Sequence, residues 1–294
     1  MIKVEGLVKS YGKHEVLKGL NFEVKNNEIY GFLGHNGAGK STTINILTNL
    51  IKPTKGNVSV NGSIGYLPED PKFYTYMTGA EYLKLIGEIS GFSKSNIATR
   101  SAELLELVGL KKDAKRKVGG YSRGMRQRLG FAVALFNKPQ ILLLDEPASA
   151  LDPEGRKEML DLIQQFKNEG GTVFLSSHIL SDLERIADRI GILNKGSMVL
   201  EGSLEEIKGE YLLPIYDIEF ENPIGALPKR LLAEAWVEDI QVKGTVMSVG
   251  ISNPIVAKTE LLRILAENNQ PVTSYQVRKS SLEDIYMRAV KENA

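Results

Sequence analysis

The 294-residue chain has no cysteine, a single tryptophan, three histidines and no glutamine before Gln127. Without cysteine there is no disulfide, no thiolate nucleophile and no thiolate-bound metal. That absence fits a reducing compartment. Long apolar runs are also missing: none approaches the ~20 residues that span a bilayer. The opening MIKVEGLVKS lacks the apolar stretch of a secretory signal. No direct membrane insertion is therefore expected, and any dealings with a membrane pass through a partner. Charge of one sign is scarce too. The formal net charge is +1, with residues 1–203 mildly basic and the remainder mildly acidic. So small an imbalance gives no reason to expect nucleic acid as a partner. What remains is an ordinary globular composition, 42% apolar and 25% charged, long enough for one large domain or two.

Hydrophobic periodicity predicts an α/β chain. Residues 1–34 read as short strands of period two, punctuated at Tyr11-Gly12 and Asn26-Asn27. A glycine-rich turn and a helix from Lys40 follow, and 79–109 holds two helical patterns split by SGFSKSN. ILLLDEP and GTVFLSS are continuous apolar runs of the kind buried on both faces of a parallel sheet. SDLERIADRIGIL adds a helix and a strand. Character changes near Gly209. Beyond it the pattern predicts strand 215–221, helix 226–235, strands 236–242 and 245–251, helix 255–267, strand 272–278 and a helix from Ser281. Ser281 with Asp284 has the spacing of a capping box. The order β-α-β-β-α-β suggests a small ferredoxin-like α+β domain.

GHNGAGKS, Gly34 to Ser41, fits G-x-x-x-x-G-K-S/T between a strand and a helix, the context that a phosphate-binding loop requires. Gly34, Gly37 and Gly39 let the backbone curl so that its N–H groups face a phosphate. Lys40 would reach the β/γ oxygens, and Ser41 would offer its hydroxyl to Mg²⁺. NKPQ (137–140) lacks the aspartate of a guanine reader, so adenine is expected, with Tyr11 stacking on the base and Val16 beside it. ILLLDEP puts Asp145 and Glu146 at the carboxyl end of a buried strand. Neighbouring strand residues point to opposite faces, so the two acids take different jobs. Asp145 is expected to hold Mg²⁺ and Glu146 to orient or deprotonate the attacking water. His178 ends GTVFLSSH at another strand's carboxyl end; on position alone a polar loop residue is the commoner reading.

One helix start looks built the wrong way round. In GGYSRGMRQRLGF, Ser122 is a good N-cap, yet Arg123, Arg126 and Arg128 crowd a helix end that is already positive, and no acid lies between Lys115 and Arg128. Such an end awaits an anion.

Taken together, these motifs resemble the ATP-binding subunit of an ABC transporter. GHNGAGKST stands for the Walker A motif, YSRGMRQ for the signature, ILLLDEP for Walker B, SALD (149–152) for the D-loop and SSH for the switch histidine. The resemblance implies a P-loop NTPase core with mixed sheet and helical subdomain (about 71–138) over residues 1–209, and an accessory domain over 210–294. It extends the ATP contacts to His35, Asn36, Gly37, Ala38, Gly39, Lys40, Ser41 and Thr42, and gives His178 a catalytic role. In that family two subunits pair head to tail, so Ser122 and Gly124 would cap the γ-phosphate of ATP lying on a partner's Walker A motif. Partners would be a second ABC subunit and a transmembrane permease, which would hold this chain on the inner face of the cell membrane. Three departures stand out. Glu69, in GYLPED, occupies the place of the usual Q-loop glutamine; a carboxylate there can still ligate Mg²⁺ or face the attacking water. Tyr121 and Met125 replace a leucine and a glutamine of the signature. NVSVNGSIGYLPE is short, which implies a trimmed antiparallel layer.

GYLPE, YSRGMRQRL and SSLEDIYMRAV further resemble the exporter branch that includes antibiotic-resistance and sodium-extrusion ATPases. The aromatic run 71–82 suggests that Phe73, Tyr74 and Tyr76 form a groove for a permease helix, or else pack within the helical subdomain. Two rival functions arise from the residues: a soluble ATP-switched ABC protein acting on ribosomes or nucleic acid, and a binding module without hydrolysis. The first is opposed by a single cassette whose motifs are separated only by residues 42–120, without sustained heptads. The second is opposed by Lys40, Asp145, Glu146 and His178 all being present.

Overall fold

A computed structural model describes residues 1–211, 214–268, 270–279 and 282–292. The chain forms two compact units, one built on Met1–Leu204 and the other on Glu205–Lys291.

In chain order the first unit starts with β1 (Ile2–Tyr11), β2 (His14–Val24), β3 (Ile29–Leu33), α1 (Lys40–Leu47), β4 (Lys55–Val60) and β5 (Ile64–Leu67). Three helices follow: α2 (Gly79–Ile89), α3 (Lys94–Leu107) and α4 (Arg123–Leu135). Then come β6 (Ile141–Asp145), α5 (Pro153–Asn168), β7 (Thr172–Ser177), α6 (Leu180–Ile186), β8 (Arg189–Asn194) and β9 (Ser197–Ser203), with α7 (Leu204–Tyr211) at the junction. β2, β1 and β4 make an antiparallel sheet of three strands. The main sheet has the order β5-β6-β7-β3-β8-β9, parallel except for β9.

Every residue of β3, β6 and β7 is buried, which is why their sequences are apolar without alternation. Phe22, Tyr30, Phe32 and Phe174 fill the space between the two sheets, with the Tyr30 and Phe174 rings 5.6 Å apart and 7° from parallel. Parallel register brings the strands' carboxyl ends to one edge: Leu33 pairs with Ser177, and Asp145 with Ser176. Three loops therefore open on the same rim, where ligands bind in open α/β sheets. Thr78 and Glu81 form a capping box that starts α2, and Ser93 caps α3.

The second unit consists of β10 (Pro214–Phe220), α8 (Leu227–Leu231), β11 (Val237–Lys243), β12 (Val246–Ile251), α9 (Pro254–Glu267), β13 (Val272–Lys279) and α10 (Leu282–Glu292). Its antiparallel sheet has the order β11-β12-β10-β13, the ferredoxin-like arrangement. Leu227 and Leu231 of α8 and Leu261 and Ile264 of α9 pack with Ile218, Phe220, Met247 and Val249 on one sheet face. Helix 226–235 is shorter than its periodicity predicts. After Leu231 the bonds tighten to Ala233 N→Arg230 O, Glu234 N→Leu231 O and Val237 N→Glu234 O, turning the chain so that Trp236 enters the core. Ser281 lies outside the described residues. Asp284, its expected capping partner, accepts from Arg278, which also reaches Asp217.

Phe174→Ala would open a cavity between the two sheets of the first unit. A stability loss of about 3–5 kcal/mol is expected, measured by urea unfolding followed by far-UV circular dichroism. A loss below about 1 kcal/mol would show that the ring is not part of a close-packed core.

Candidate active site

The loop after β3 is shaped by glycine. Gly37 (φ 82°) and Gly39 (φ 114°) are left-handed, and a Cβ on Gly39 would stand 2.5 Å from Leu17 Cδ2. Gly39 also serves as the N-cap of α1, with no side-chain cap and no acid in the first turn, so the helix's first N–H groups are left for an anion. The Lys40 ammonium is buried; it donates to Gly34 O at 2.6 Å and lies 3.2 Å from Glu146 Oε1.

A cleft of about 440 Å³ opens here, lined by Val16, His35, Asn36, Gly37, Gly39, Lys40, Ser41, Thr42, Glu69 and Glu146. The structure thus gathers most of the residues expected to hold ATP, and it brings Glu69 to them from the loop after β5. Ala38 is buried beneath the loop, where its carbonyl accepts from Gly196 N. Tyr11 is not in this lining. It sits on the β1–β2 hairpin, half exposed, with Lys9 Nζ over its ring at 4.9 Å.

The two acids part company for a reason that strand alternation does not supply. Asp145 is the last residue of β6, whereas Glu146 has already left the strand in a left-handed conformation (φ 50°). Ser176 Oγ ties them together: it donates to Asp145 Oδ1 at 2.6 Å and accepts from Glu146 N–H at 3.1 Å. Ser149 holds the turn further, its Oγ donating to Glu146 O at 3.1 Å. The Glu146 carboxylate then lies between two cations or donors. Oε2 meets His178 Nδ1 at 2.8 Å, while Oε1 faces Lys40 without hydrogen-bond geometry. A carboxylate acceptor fixes the proton on Nδ1 of a neutral ring and leaves Nε2 as an acceptor. SALD and SSH contain Ser149 and Ser176, but neither motif gave these serines a role; the pairing of β6 with β7 is what places Ser176 between the acids.

The donor set fits Mg²⁺. Asp145 is a buried carboxylate, and the Tyr66 phenol is pushed up to about 12 by burial and then by the charge of Asp145. Ser41 adds a hydroxyl in the cleft. Among the described residues no three His, Cys, Asp or Glu side chains gather into a cage.

Ser122 caps α4, its Oγ accepting from Met125 N–H at 3.1 Å, and the first turn holds no acid. The three arginines divide. Arg126 donates to Tyr121 O at 2.7 Å, Arg128 pairs with Glu158 of α5 at 2.7 Å, and Arg123 stays exposed beside Gly124. Ser122 and Gly124 line a second cleft, of about 620 Å³, with Ala150, Leu151 and Asp152; it shares no residue with the first. In the aromatic run, Phe73 packs edge-on against Tyr82 at 4.8 Å, while Tyr74 and Tyr76 are 54% and 68% exposed.

Residues 17–149 match the family described as ABC transporter, and residues 202–290 match the ATP-binding protein DrrA1-3-like C-terminal domain. The ABC transporter ATP-binding protein YxlF of Bacillus subtilis (strain 168) is 38% identical, over 99% of each chain. This chain belongs to the ABC transporter ATP-binding proteins. The bacitracin transport ATP-binding protein BcrA of Bacillus licheniformis is 36% identical, over 99% of this chain and 97% of its own. Among solved structures, an ATP-binding subunit of an ABC transporter superposes with a TM-score of 0.66 at 30% identity, covering 72% of this chain and 93% of its own. A dimeric ATP-binding cassette in a post-hydrolysis state with ADP and Pi gives 0.66 at 27% identity, over 69% and 99%. The protein is an ABC ATPase: it binds ATP and hydrolyses it.

Ser176→Ala would free both acids from their shared anchor. Hydrogen bonds to charged groups contribute about 1.5–3 kcal/mol, so kcat for ATP is expected to fall about tenfold to a hundredfold. Steady-state phosphate release reads this, and a loss smaller than about twofold would show that the hydroxyl does not position the acids.

Proposed function

We propose that this ABC ATPase powers export through a separately encoded membrane permease, as one of two cassettes that MgATP closes head to tail. The observation that carries the reading is the division of the chemistry into two halves. One cleft offers a phosphate loop, a lysine and a base, and the other offers a helix end capped by Ser122, with Arg123 beside it and no acid in the first turn. A triphosphate on the first has acceptor oxygens left for a second surface, and the Ser122 end supplies N–H donors for them. ATP contacted from both sides prefers the closed pair, so it can drive closure.

Within each composite site, Glu146 takes the proton of the attacking water or orients it, and its turn aims the carboxylate into the cleft. His178 holds that carboxylate through Nδ1. Lys40 and the α1 N–H groups neutralise charge on the β/γ oxygens. Ser41 and Asp145 would hold Mg²⁺, with Glu69 beside it; the ion would add charge compensation on the phosphates. Residues 1–209 would form the motor and 210–294 an accessory domain. Tyr74 and Tyr76 would receive a permease helix. Relatives named for bacitracin and lantibiotic transport favour an antibiotic as cargo.

Cysteine's absence makes the pairing directly testable. Asn36→Cys and Arg123→Cys chains, mixed and treated with a short bismaleimide, are expected to give a mixed covalent dimer only when a non-hydrolysable ATP analogue and Mg²⁺ are present. Tyr74→Ser with Tyr76→Ser should leave that dimer intact and remove stimulation of turnover by the permease. Equal crosslinking without nucleotide, or none with it, would contradict head-to-tail closure.

A further inference from the structure

Helix α5 follows the SALD loop, and α6 follows His178. Two ion pairs join them: Arg156 Nε lies 3.9 Å from Asp182 Oδ2, and Arg185 donates to Asp161 Oδ1 at 2.7 Å. They differ in setting. The Arg185–Asp161 side chains are 40% and 56% exposed, where an ion pair contributes little. The Asp182 side chain is only 8% exposed. A carboxylate so deeply placed is costly unless a cation attends it, and α6 does not need it for packing, since Leu183 and Ile186 bury its apolar face. Its position suggests another reason. Asp182 lies in the first turn of α6, four residues after His178, and Arg156 lies in α5, four residues after its N-cap Asp152.

Burial pushes the Asp182 carboxyl up. Arg156 draws it down, Glu146 pushes it up again, and His178 and Arg185 draw it down. Asp182 therefore lies within the field of both members of the Glu146–His178 pair, with Arg156 arriving from α5 and Arg185 from its own helix. On another side, α5 takes Arg128 of the signature helix through Glu158 at 2.7 Å. The same helix thus contacts both α4, which Ser122 caps, and α6, which follows His178.

We propose that Asp182 and Arg156 are positioning residues of the ATPase reaction. Their ion pair ties the His178-bearing turn to α5 and so holds the imidazole against Glu146. The pair makes the placement of His178 depend on the helix that anchors the SALD loop. The inference rests on Glu146 and His178 being the hydrolytic pair, and the test separates the two ideas.

Steady-state ATP hydrolysis by the full chain provides the readout. Asp182→Asn and Arg156→Gln are each expected to lower kcat about tenfold while KM for ATP stays within about twofold. The double variant should be no slower than either single, because both remove one interaction. Asp182→Glu, which keeps the charge, should recover kcat to within about threefold of the parent. Unchanged kcat in the singles, losses that multiply in the double, or a KM that rises as kcat falls would each overturn the proposal. If Asp182→Asn does not fold, Arg156→Gln with Asp182→Glu decides between the same outcomes. His178→Ala is the control: if it leaves kcat unchanged, the reading of the hydrolytic pair has failed, whatever the other variants do.

Discussion

Glu146 adopts a left-handed backbone conformation immediately after β6, and the rest of the site depends on that turn. A non-glycine residue there costs on the order of 1 kcal/mol or more and persists only where its surroundings hold it. Here they do. Ser149 and Ser176 fasten the backbone, and the carboxylate is received by Lys40 on one side and His178 on the other. The strained turn separates the jobs of two adjacent acids. Asp145 stays in the sheet, bonded to Ser176, while Glu146 swings into the cleft. Without the turn, one acid would be lost to the opposite face of the sheet.

The same economy of parts explains why the second cleft is separate. Parallel strands bring the phosphate loop, the acids and the histidine to one rim, but α4 belongs to the helical insertion between β5 and β6 and ends elsewhere. Its arginines look like excess charge in sequence. In the fold, Arg126 closes the Tyr121 carbonyl, Arg128 holds α5, and only Arg123 remains beside the capped end. The helix end keeps its positive character while two of its three cations stabilise the frame. The ABC ATPase thus carries the phosphate loop and the capped α4 end on different elements, in clefts that share no lining residue.

Much of this was legible in the sequence where the chemistry is local. The glycines of 34–39 are dictated by backbone geometry, so the loop and its helix were readable. The unbroken apolar runs of β6 and β7 followed from burial on both sheet faces. The β-α-β-β-α-β order of the second unit followed from period changes. What failed to show depends on contacts between distant segments. Tyr11 reads as an adenine platform; in the fold it stands half exposed on the β1–β2 hairpin, paired with His14, two residues before the cleft-lining Val16. The split of Asp145 from Glu146 comes from a turn and not from strand alternation. Ser176 and Asp182 look like ordinary polar residues until β7 and α6 bring them to the acids. The helix after residue 226 stops early because Trp236 must reach the core, a demand that no window of helix propensity contains.

The central claim is that the carboxylate held between Lys40 and His178 performs the hydrolytic step. Glu146→Gln keeps the size and the hydrogen-bonding capacity of the side chain but removes the base. Single-turnover hydrolysis of radiolabelled MgATP by purified protein, with nucleotide affinity measured alongside, tests the claim most directly. The account predicts a hydrolysis rate lowered about a hundredfold to ten-thousandfold, with affinity retained or improved. Hydrolysis within about threefold of the parent at unchanged affinity would contradict it.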